Sequence, residues 1–357
     1  MIIVGTKHCR TTAFQPGAPM KAYQIGPQNG LASLTATTRP DPVPGPGEAV
    51  LKVRMAALNN RDVQVLEGRY GANKAEDRIP GSEGVGEVVA LGEGVQGIAV
   101  GDRAVFAHFV NWLDGAFAGA YFGADYGITH DGWLAEYIKV PAAALVKVPG
   151  SLSDEQVVGL ASSALTAWHA VVEVGQVKRG DTVLALGTGG VAIWALQIAK
   201  TAGARTAITS SSDEKLALAR KLGADITINY RNHPDWPAEL LKANGGAGAD
   251  IVVETGGQAG LARSIDAAAT NGRIVLIAVG PAPDAPLPNF GAIIGKNLTI
   301  RGIAEGSRAM FVRLIETIAA NGIQPVIDRS FGFEQADEAY AYLASASHVG
   351  KVVIKLG

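Results

Sequence analysis

The chain has one cysteine, Cys9, in 357 residues. That excludes an internal disulfide, and it excludes a zinc centre built on paired cysteine thiolates. Histidine is scarce as well: there are six, and no two stand at the spacing of a metal-binding pair. Runs of like charge are missing, since 31 Lys and Arg balance 33 Asp and Glu for a net −2, so the surface offers no footprint for nucleic acid. No stretch of about 18 apolar residues reads as a membrane span. The start Met1-Ile2-Ile3-Val4 is broken too soon to be the apolar core of a secretory signal. These absences predict a cytoplasmic protein with no nucleic-acid or membrane partner, in a reducing compartment that suits its lone thiol. Repeats and low-complexity tracts are absent too.

Glycine is plentiful, with 45 residues, and the hydrophobic fraction is 48%, as expected for a packed enzyme with many tight turns. The length favours two domains over one. Residues 1–19 differ in texture and read as an N-terminal extension, and Met20 opens the strand pattern Lys21-Ala22-Tyr23-Gln24-Ile25. From there to residue 148, short β-like runs such as Ala49-Val50-Leu51-Lys52-Val53-Arg54 alternate with Gly and Pro, which predicts a small, partly open β-barrel. The proline-rich segment 40–47 is a turn or edge connection, because proline cannot donate to an interior ladder. Beyond residue 152, strands at 182–186, 206–210, 226–230, 251–254, 274–279 and 298–303 alternate with helical patterns such as 213–222. That alternation signals βαβ units and one six-stranded parallel sheet, an α/β Rossmann fold. A helix at 308–321 and a strand-like tail, Val349 to Lys355, follow, and the tail's natural destination is the first domain. The predicted division is an extension at 1–19, a β-rich domain of 20–150 with 306–357, and a Rossmann domain of 151–305 inserted into it.

Chemistry enters at Leu184-Ala185-Leu186-Gly187-Thr188-Gly189-Gly190-Val191-Ala192, an apolar strand running into a glycine turn and a helix predicted at 193–202. Glycines let the backbone approach a pyrophosphate, and a helix N-terminus presents free N–H groups with partial positive charge. Gly187, Gly189, Gly190 and Val191 are therefore candidate cofactor residues. About 20 residues on, an acidic side chain would mark NAD, whereas hydroxyls and cations would mark NADP. The sequence there is Thr209-Ser210-Ser211-Ser212-Asp213-Glu214-Lys215. Ser210, Ser211 and Lys215 are suited to a 2′-phosphate, so NADPH is the favoured cofactor, with NADH left open because Asp213 can bind a ribose diol. Ser211 or Ser212 also reads as the N-cap of the following helix.

Several motifs together resemble the medium-chain dehydrogenase/reductase superfamily, within it the zinc-free quinone oxidoreductase and enoyl reductase branch. They are Asn59-Asn60-Arg61-Asp62, Pro80-Gly81-Ser82-Glu83-Gly84-Val85-Gly86-Glu87-Val88 with Gly101-Asp102-Arg103-Ala104-Val105, Leu165-Thr166-Ala167-Trp168, the glycine turn, and His348-Val349-Gly350-Lys351-Val352-Val353-Ile354. The resemblance spans 20–357 and implies a GroES-like β-rich domain around the Rossmann unit. Zinc ligands of the family match Asn59, Ser82 and Ser162 here, none of them a thiolate or imidazole, and the cysteine-rich structural lobe is replaced by a Gly-, Ala- and aromatic-rich segment at 111–129. No metal is expected.

The resemblance further implies that Asn59 approaches the nicotinamide and that Tyr70 lies in the cleft, where a phenol can donate a hydrogen bond or proton to a carbonyl or enolate oxygen. Asn59 and Tyr70 are the catalytic candidates; packing of Tyr70 beneath its loop is the competing reading. Asp62 is expected to brace the Asn59 loop. Thr166 is placed near the nicotinamide, Ser211 and Lys215 at the 2′-phosphate, Tyr230 beside the adenosine phosphate, and Lys351 of the closing motif among the cofactor residues. Arg308 is a candidate for nicotinamide or phosphate, or a surface residue; His169 is expected to pack. His108 and His130 flank the aromatic segment with Trp112, Phe117, Tyr121, Phe122, Tyr126 and Trp133, a hydrophobic lid or the core of an irregular loop.

The sequence thus predicts hydride transfer from NADPH to a carbonyl or activated C=C bond of a small hydrophobic substrate, quinone or enone in type. A zinc-free NAD-dependent alcohol dehydrogenase and a non-catalytic NADPH-binding sensor are the alternatives. A homodimer is expected through strand 298–303, an edge that carries no proline and offers Leu298, Ile300 and Ile303 for burial.

Overall fold

The computed structural model describes residues 14–71, 75–278 and 282–356. Cys9 and most of the predicted extension lie outside them, as does Val279 at the end of a predicted strand. The extension's described end is packed: the Phe14 ring meets Tyr137 edge-on at 5.1 Å. Strand β1 (Pro19–Ile25) begins one residue before Met20 and pairs antiparallel with β2 (Leu34–Pro40).

Strands β3 (Glu48–Leu58), β4 (Glu83–Leu91), β5 (Arg103–Val105), β6 (Tyr137–Pro141) and β7 (Val146–Lys147) form the first sheet. It is completed by the last two strands of the chain, β14 (Ile327–Gly332) and β15 (Lys351–Lys355). The order is β14-β15-β3-β4-β5-β7, with β6 also on β3. The tail therefore returns to the first sheet, β15 running antiparallel to β3 with Val352 opposite Leu58.

Strands β8 (Thr182–Ala185), β9 (Arg205–Ser210), β10 (Ile226–Asn229), β11 (Ala249–Glu254), β12 (Ala268–Leu276) and β13 (Thr299–Gly302) make the second sheet. All its pairings are parallel, in the order β10-β9-β8-β11-β12-β13. The order reverses beside β8, and in such sheets the crevice at the carboxyl end of the reversing strand is the ligand site. All four β8 residues are buried, which explains why the strand reads as a continuous apolar run rather than an alternating one. The helix Gly190–Thr201 buries Ala192, Ile193, Trp194, Ala195, Leu196, Ile198 and Ala199, so most of its circumference is enclosed. Each large apolar side chain there contributes about 1.5–3 kcal/mol.

The helix Asp154–Val174 corrects one expectation. Its 21 residues are apolar enough to span a membrane by composition, but 83% of its apolar window is buried inside the protein. It is a core helix, packed against Gly190–Thr201 and against Arg308–Asn321; the latter has the limits its sequence predicts, whereas the helix Ala336–Ala344 that follows was not predicted.

Candidate active site

At the carboxyl end of β8 the chain turns at Gly187, whose φ of 77° lies in the left-handed region open to glycine. A Cβ added at Gly187 or Gly189 would meet nothing within 4 Å, so both face open space. Gly190 is crowded instead, because a Cβ there would come within 3.0 Å of the Ser163 side chain and 3.1 Å of Lys351 Cδ. The helix starts at Gly190 with Gly189 as its N-cap, three residues before the predicted start, which brings the free N–H groups of Gly190 and Val191 to the turn. Gly350 closes the back of the turn, its N–H donating to Thr188 O at 3.1 Å. An open glycine cradle against a helix N-terminus fits a dinucleotide pyrophosphate.

At the end of β9, Ser210 is buried and Ser211 half-buried. Ser212 caps the helix Asp213–Lys221, its Oγ accepting from Lys215 N. The Asp213 carboxylate is engaged by Asn229 Nδ2 at 2.9 Å and Asn232 Nδ2 at 3.4 Å, which turns it toward the end of β10. The Lys215 ammonium donates to Ala346 O at 2.6 Å. Tyr230 follows β10 and is 40% exposed.

Between the two sheets lies a buried polar network. Asn59 precedes the helix Asn60–Leu66 and its N–H donates to Asp62 Oδ2 at 2.7 Å, so Asp62 braces this loop as expected. The Asn59 amide is held at both ends: Nδ2 donates to Ser82 Oγ at 3.1 Å and Glu83 Oε1 at 2.9 Å, and Oδ1 accepts from Lys351 Nζ at 2.7 Å. Lys351 also donates to Leu58 O at 2.8 Å and pairs with Glu83, so all three ammonium donors are used. Glu83 Oε2 accepts from Ser162 N at 2.8 Å. The sequence places Lys351 among the cofactor residues; its ammonium belongs to Glu83, and its stem lines the rear of Gly190.

Beside this network sits a second cluster. Arg61 Nη2 donates to Asp125 Oδ1 at 2.6 Å, and its guanidinium lies 4.9 Å from the centre of the Tyr70 ring. Burial opposes the charge on Arg61, but Asp125, Tyr70 and Asp62 outweigh it and its pKa is raised. Burial pushes the Tyr70 phenol up as well, with Arg61 acting against it, so the phenol keeps its proton at neutral pH. His108 Nδ1 lies 2.5 Å from Glu305 Oε1, with both residues buried.

Other candidates are placed more simply. Thr166 is buried in the helix Asp154–Val174. His169 packs, its Nδ1 at 3.1 Å from both Ala304 O and Glu305 O. Arg308 Nε donates to Leu145 O at 2.9 Å. The aromatic segment divides: Trp112, Tyr126 and Trp133 are core, while Phe117, Tyr121 and the 48%-exposed Phe122 are outer. Phe117 packs edge-on against Phe109, Trp112 and Phe122. Sequence reading missed Arg61, Asp125, His108 with Glu305, and the Glu83–Lys351 pair. For the Glu83–Lys351 pair the available signal was a charge at the first position of a strand that is otherwise largely apolar, because a buried charge requires a partner.

The N-terminal part of the chain, residues 45–150, matches the alcohol dehydrogenase GroES-like domain, and residues 190–320 match the zinc-binding dehydrogenase domain. A zinc-type alcohol dehydrogenase-like protein of Schizosaccharomyces pombe is 43% identical over 317 residues, 87% of this chain and 91% of that one. The chain belongs to the medium-chain dehydrogenase/reductase superfamily. It is an NAD(P)H-dependent oxidoreductase of that superfamily. The acryloyl-coenzyme A reductase of Metallosphaera sedula is 31% identical over 324 residues, 88% of this chain and 94% of that one. A crystal structure of an NAD-dependent alcohol dehydrogenase superposes with a TM-score of 0.85 at 33% identity, covering 95% of this chain and all of that one.

The matched domain is described by zinc, and the residues here do not fit that ion. Asn59, Ser82 and Ser162 offer an amide and two hydroxyls, the amide oxygen already facing an ammonium. Zinc is held by thiolate, imidazole and carboxylate. Among the described residues no group of three His, Cys, Asp or Glu is placed to hold a metal.

Proposed function

We propose that this enzyme reduces a carbonyl or an activated C=C bond of a small hydrophobic substrate with NADPH, without zinc. The observation that carries the reading is the open glycine cradle combined with a strand end of serines and lysine whose two neighbouring acids are engaged, Asp213 by Asn229 and Glu214 by Ser212. Bound cofactor supplies the hydride. Gly187, Gly189, Gly190 and Val191 hold the pyrophosphate, Ser211 and Lys215 the 2′-phosphate with Ser210 shaping the turn beneath them, and Tyr230 flanks the adenosine phosphate. Thr166 and Asn59 frame the nicotinamide, with Asn59 fixed in one orientation by Ser82, Glu83 and Lys351. Tyr70 donates to the substrate oxygen, and the aromatic segment excludes water. Such alignment accounts for much of the rate in a reaction whose hard step belongs to the cofactor. The likeness to an acryloyl-coenzyme A reductase supports an activated C=C bond as one substrate class.

Quinones, enones, aldehydes and alcohols assayed with NADPH and NADH, in buffer containing a chelator, test this reading. Turnover of enones or quinones with NADPH is expected, and activity confined to alcohols with NAD would overturn it. Lys215→Ala should weaken NADPH by roughly tenfold to a hundredfold, the cost of about 1.5–3 kcal/mol for a charged hydrogen bond, and leave NADH binding unchanged. Fluorescence titration of both cofactors reads the difference.

We also infer a homodimer. Strand β13 is the edge of the second sheet, and Leu287, Phe290 and Ile294 nearby are 87%, 70% and 79% exposed. A proline-free edge with unpaired backbone groups is a liability unless paired, and pairing with its own copy about a two-fold axis covers it. The wild-type protein should sediment as a dimer at micromolar concentration and Ile300→Pro as a monomer; a monomeric wild type refutes the arrangement.

A further inference from the structure

The His108–Glu305 pair takes no part in the scheme above, and its geometry is unusual. An N···O separation of 2.5 Å is shorter than an ordinary N–H···O hydrogen bond. A neutral imidazole nitrogen without its hydrogen and a carboxylate both present lone pairs, and at that distance they repel unless a proton lies with one of them. The contact lies off the line of a regular hydrogen bond, and neither Glu305 oxygen has a hydrogen-bond partner among the described residues. The Phe109 N–H faces the carboxyl without closing a bond of good geometry. Glu305 is 5% exposed and His108 4%.

The pair's position is as informative as its separation. Glu305 lies between β13 and the helix Arg308–Asn321, and its carbonyl is held by His169, on the helix that carries Thr166. His108 follows β5 at the head of the aromatic segment, its ring 4.4 Å from Phe109. The pair therefore ties the segment after β5 to the segment after β13, and Glu305 lies close enough to Tyr70 to act on its phenol. Arg61, Asp125 and Glu83 act on Glu305, and Glu305 in turn acts on Tyr70. Asp125 pairs with Arg61 and Glu83 with Lys351.

We propose that the His108–Glu305 pair is the proton source that completes the reduction. The inference rests on the functional reading given above. Hydride adds to the electrophilic carbon of the C=C or C=O bond, and the π electron pair moves to the α-carbon or the oxygen. That atom takes the proton held by the pair. Glu305 is left as a carboxylate in the field of the Arg61 guanidinium, and water restores the proton once product has left. Burial raises Glu305 well above the usual carboxylate range, with Arg61 opposing, and burial aided by Arg61 holds His108 well below the usual imidazole range. The resting pair is a neutral acid beside a neutral imidazole. Because the acid form exists only below the raised pKa, turnover falls as pH rises through it.

Infrared spectroscopy and kinetics together test the proposal. The wild-type protein should show a carboxylic-acid C=O stretch at neutral pH that shifts in D2O and is missing in Glu305→Gln. That variant should lose roughly a hundredfold or more in kcat, lose the alkaline limb of the pH profile, and retain KM and NADPH affinity. His108→Asn should lower kcat in the same direction, whereas Tyr70→Phe should keep the alkaline limb. Absence of the infrared band overturns the proposal, as does a Glu305→Gln enzyme with wild-type kcat and pH profile. If no substrate in the panel is reduced, the functional reading fails by itself, and the band decides separately whether the pair holds its proton.

Discussion

Lys351→Met should destabilise the enzyme by about 3–5 kcal/mol, the usual cost of removing one partner of a buried ion pair. The ammonium is 3% exposed and meets Leu58 O, Asn59 Oδ1 and Glu83. Methionine fills the volume of the stem, which passes 3.0 Å from a Cβ built at Gly159 and 3.1 Å from one built at Gly190. What it cannot do is neutralise Glu83, which is wholly buried. Glu83 would retain Asn59 Nδ2 and Ser162 N as donors, two hydrogen bonds set against the desolvation of a full charge. Adding Glu83→Gln removes that charge, so the double variant should recover a large part of the loss. A double-mutant cycle by urea denaturation measures the coupling directly. A single variant that loses less than about 1 kcal/mol would show that the charge is satisfied by the amide donors alone.

These pairs also mark where the sequence stops being readable. Strands β8 to β11 and the turn at Gly187 follow from local pattern, because a buried parallel strand must be apolar along its length and a backbone in the left-handed region favours glycine. The helix Arg308–Asn321 follows from its period and its Ser307 cap. The helix Gly190–Thr201 starts three residues before its predicted start, because its first residue is a glycine and the N–H groups that define a helix start are invisible in composition. Lys351 and Glu83 are 268 positions apart, and no period or spacing relates them. Glu305 and His108 are 197 positions apart and meet only because the segments that follow β13 and β5 pack together. Asn59, by contrast, is legible from its motif, and the structure adds what the motif could not contain: an amide fixed by an adjacent serine and glutamate and by a lysine from the far end of the chain. The aromatic segment shows the same limit. Trp112 and Phe122 read alike in sequence, and only packing separates the 1%-exposed core residue from the 48%-exposed outer one.

Asp62→Asn should make the enzyme more stable at pH 8 and leave it nearly unchanged near pH 4. Asp62 is 5% exposed and accepts from Asn59 N and Ser82 Oγ, both through Oδ2. Burial raises its pKa from 3.8 to about 6, against the pull of Arg61, the two hydrogen bonds and Lys351. A folded-state pKa above the unfolded value means that the native protein binds this proton more tightly. The resulting stabilisation is fully present below the unfolded pKa and is lost as pH rises through about 6. Its full extent, for a rise from 3.8 to about 6, is roughly 3 kcal/mol. An asparagine amide oxygen can accept the same two hydrogen bonds without the desolvation cost of a charge, so the variant avoids the loss above pH 6. Urea denaturation of wild type and variant at pH 4, 6 and 8 gives the difference at each pH. The contribution of Glu305, raised in the same direction, is common to both proteins and cancels. The difference should grow with pH and level off above pH 7. A difference that stays constant from pH 4 to pH 8 would show that the Asp62 carboxyl titrates alike in the folded and unfolded chain, and that Asn59 N and Ser82 Oγ offset its burial completely.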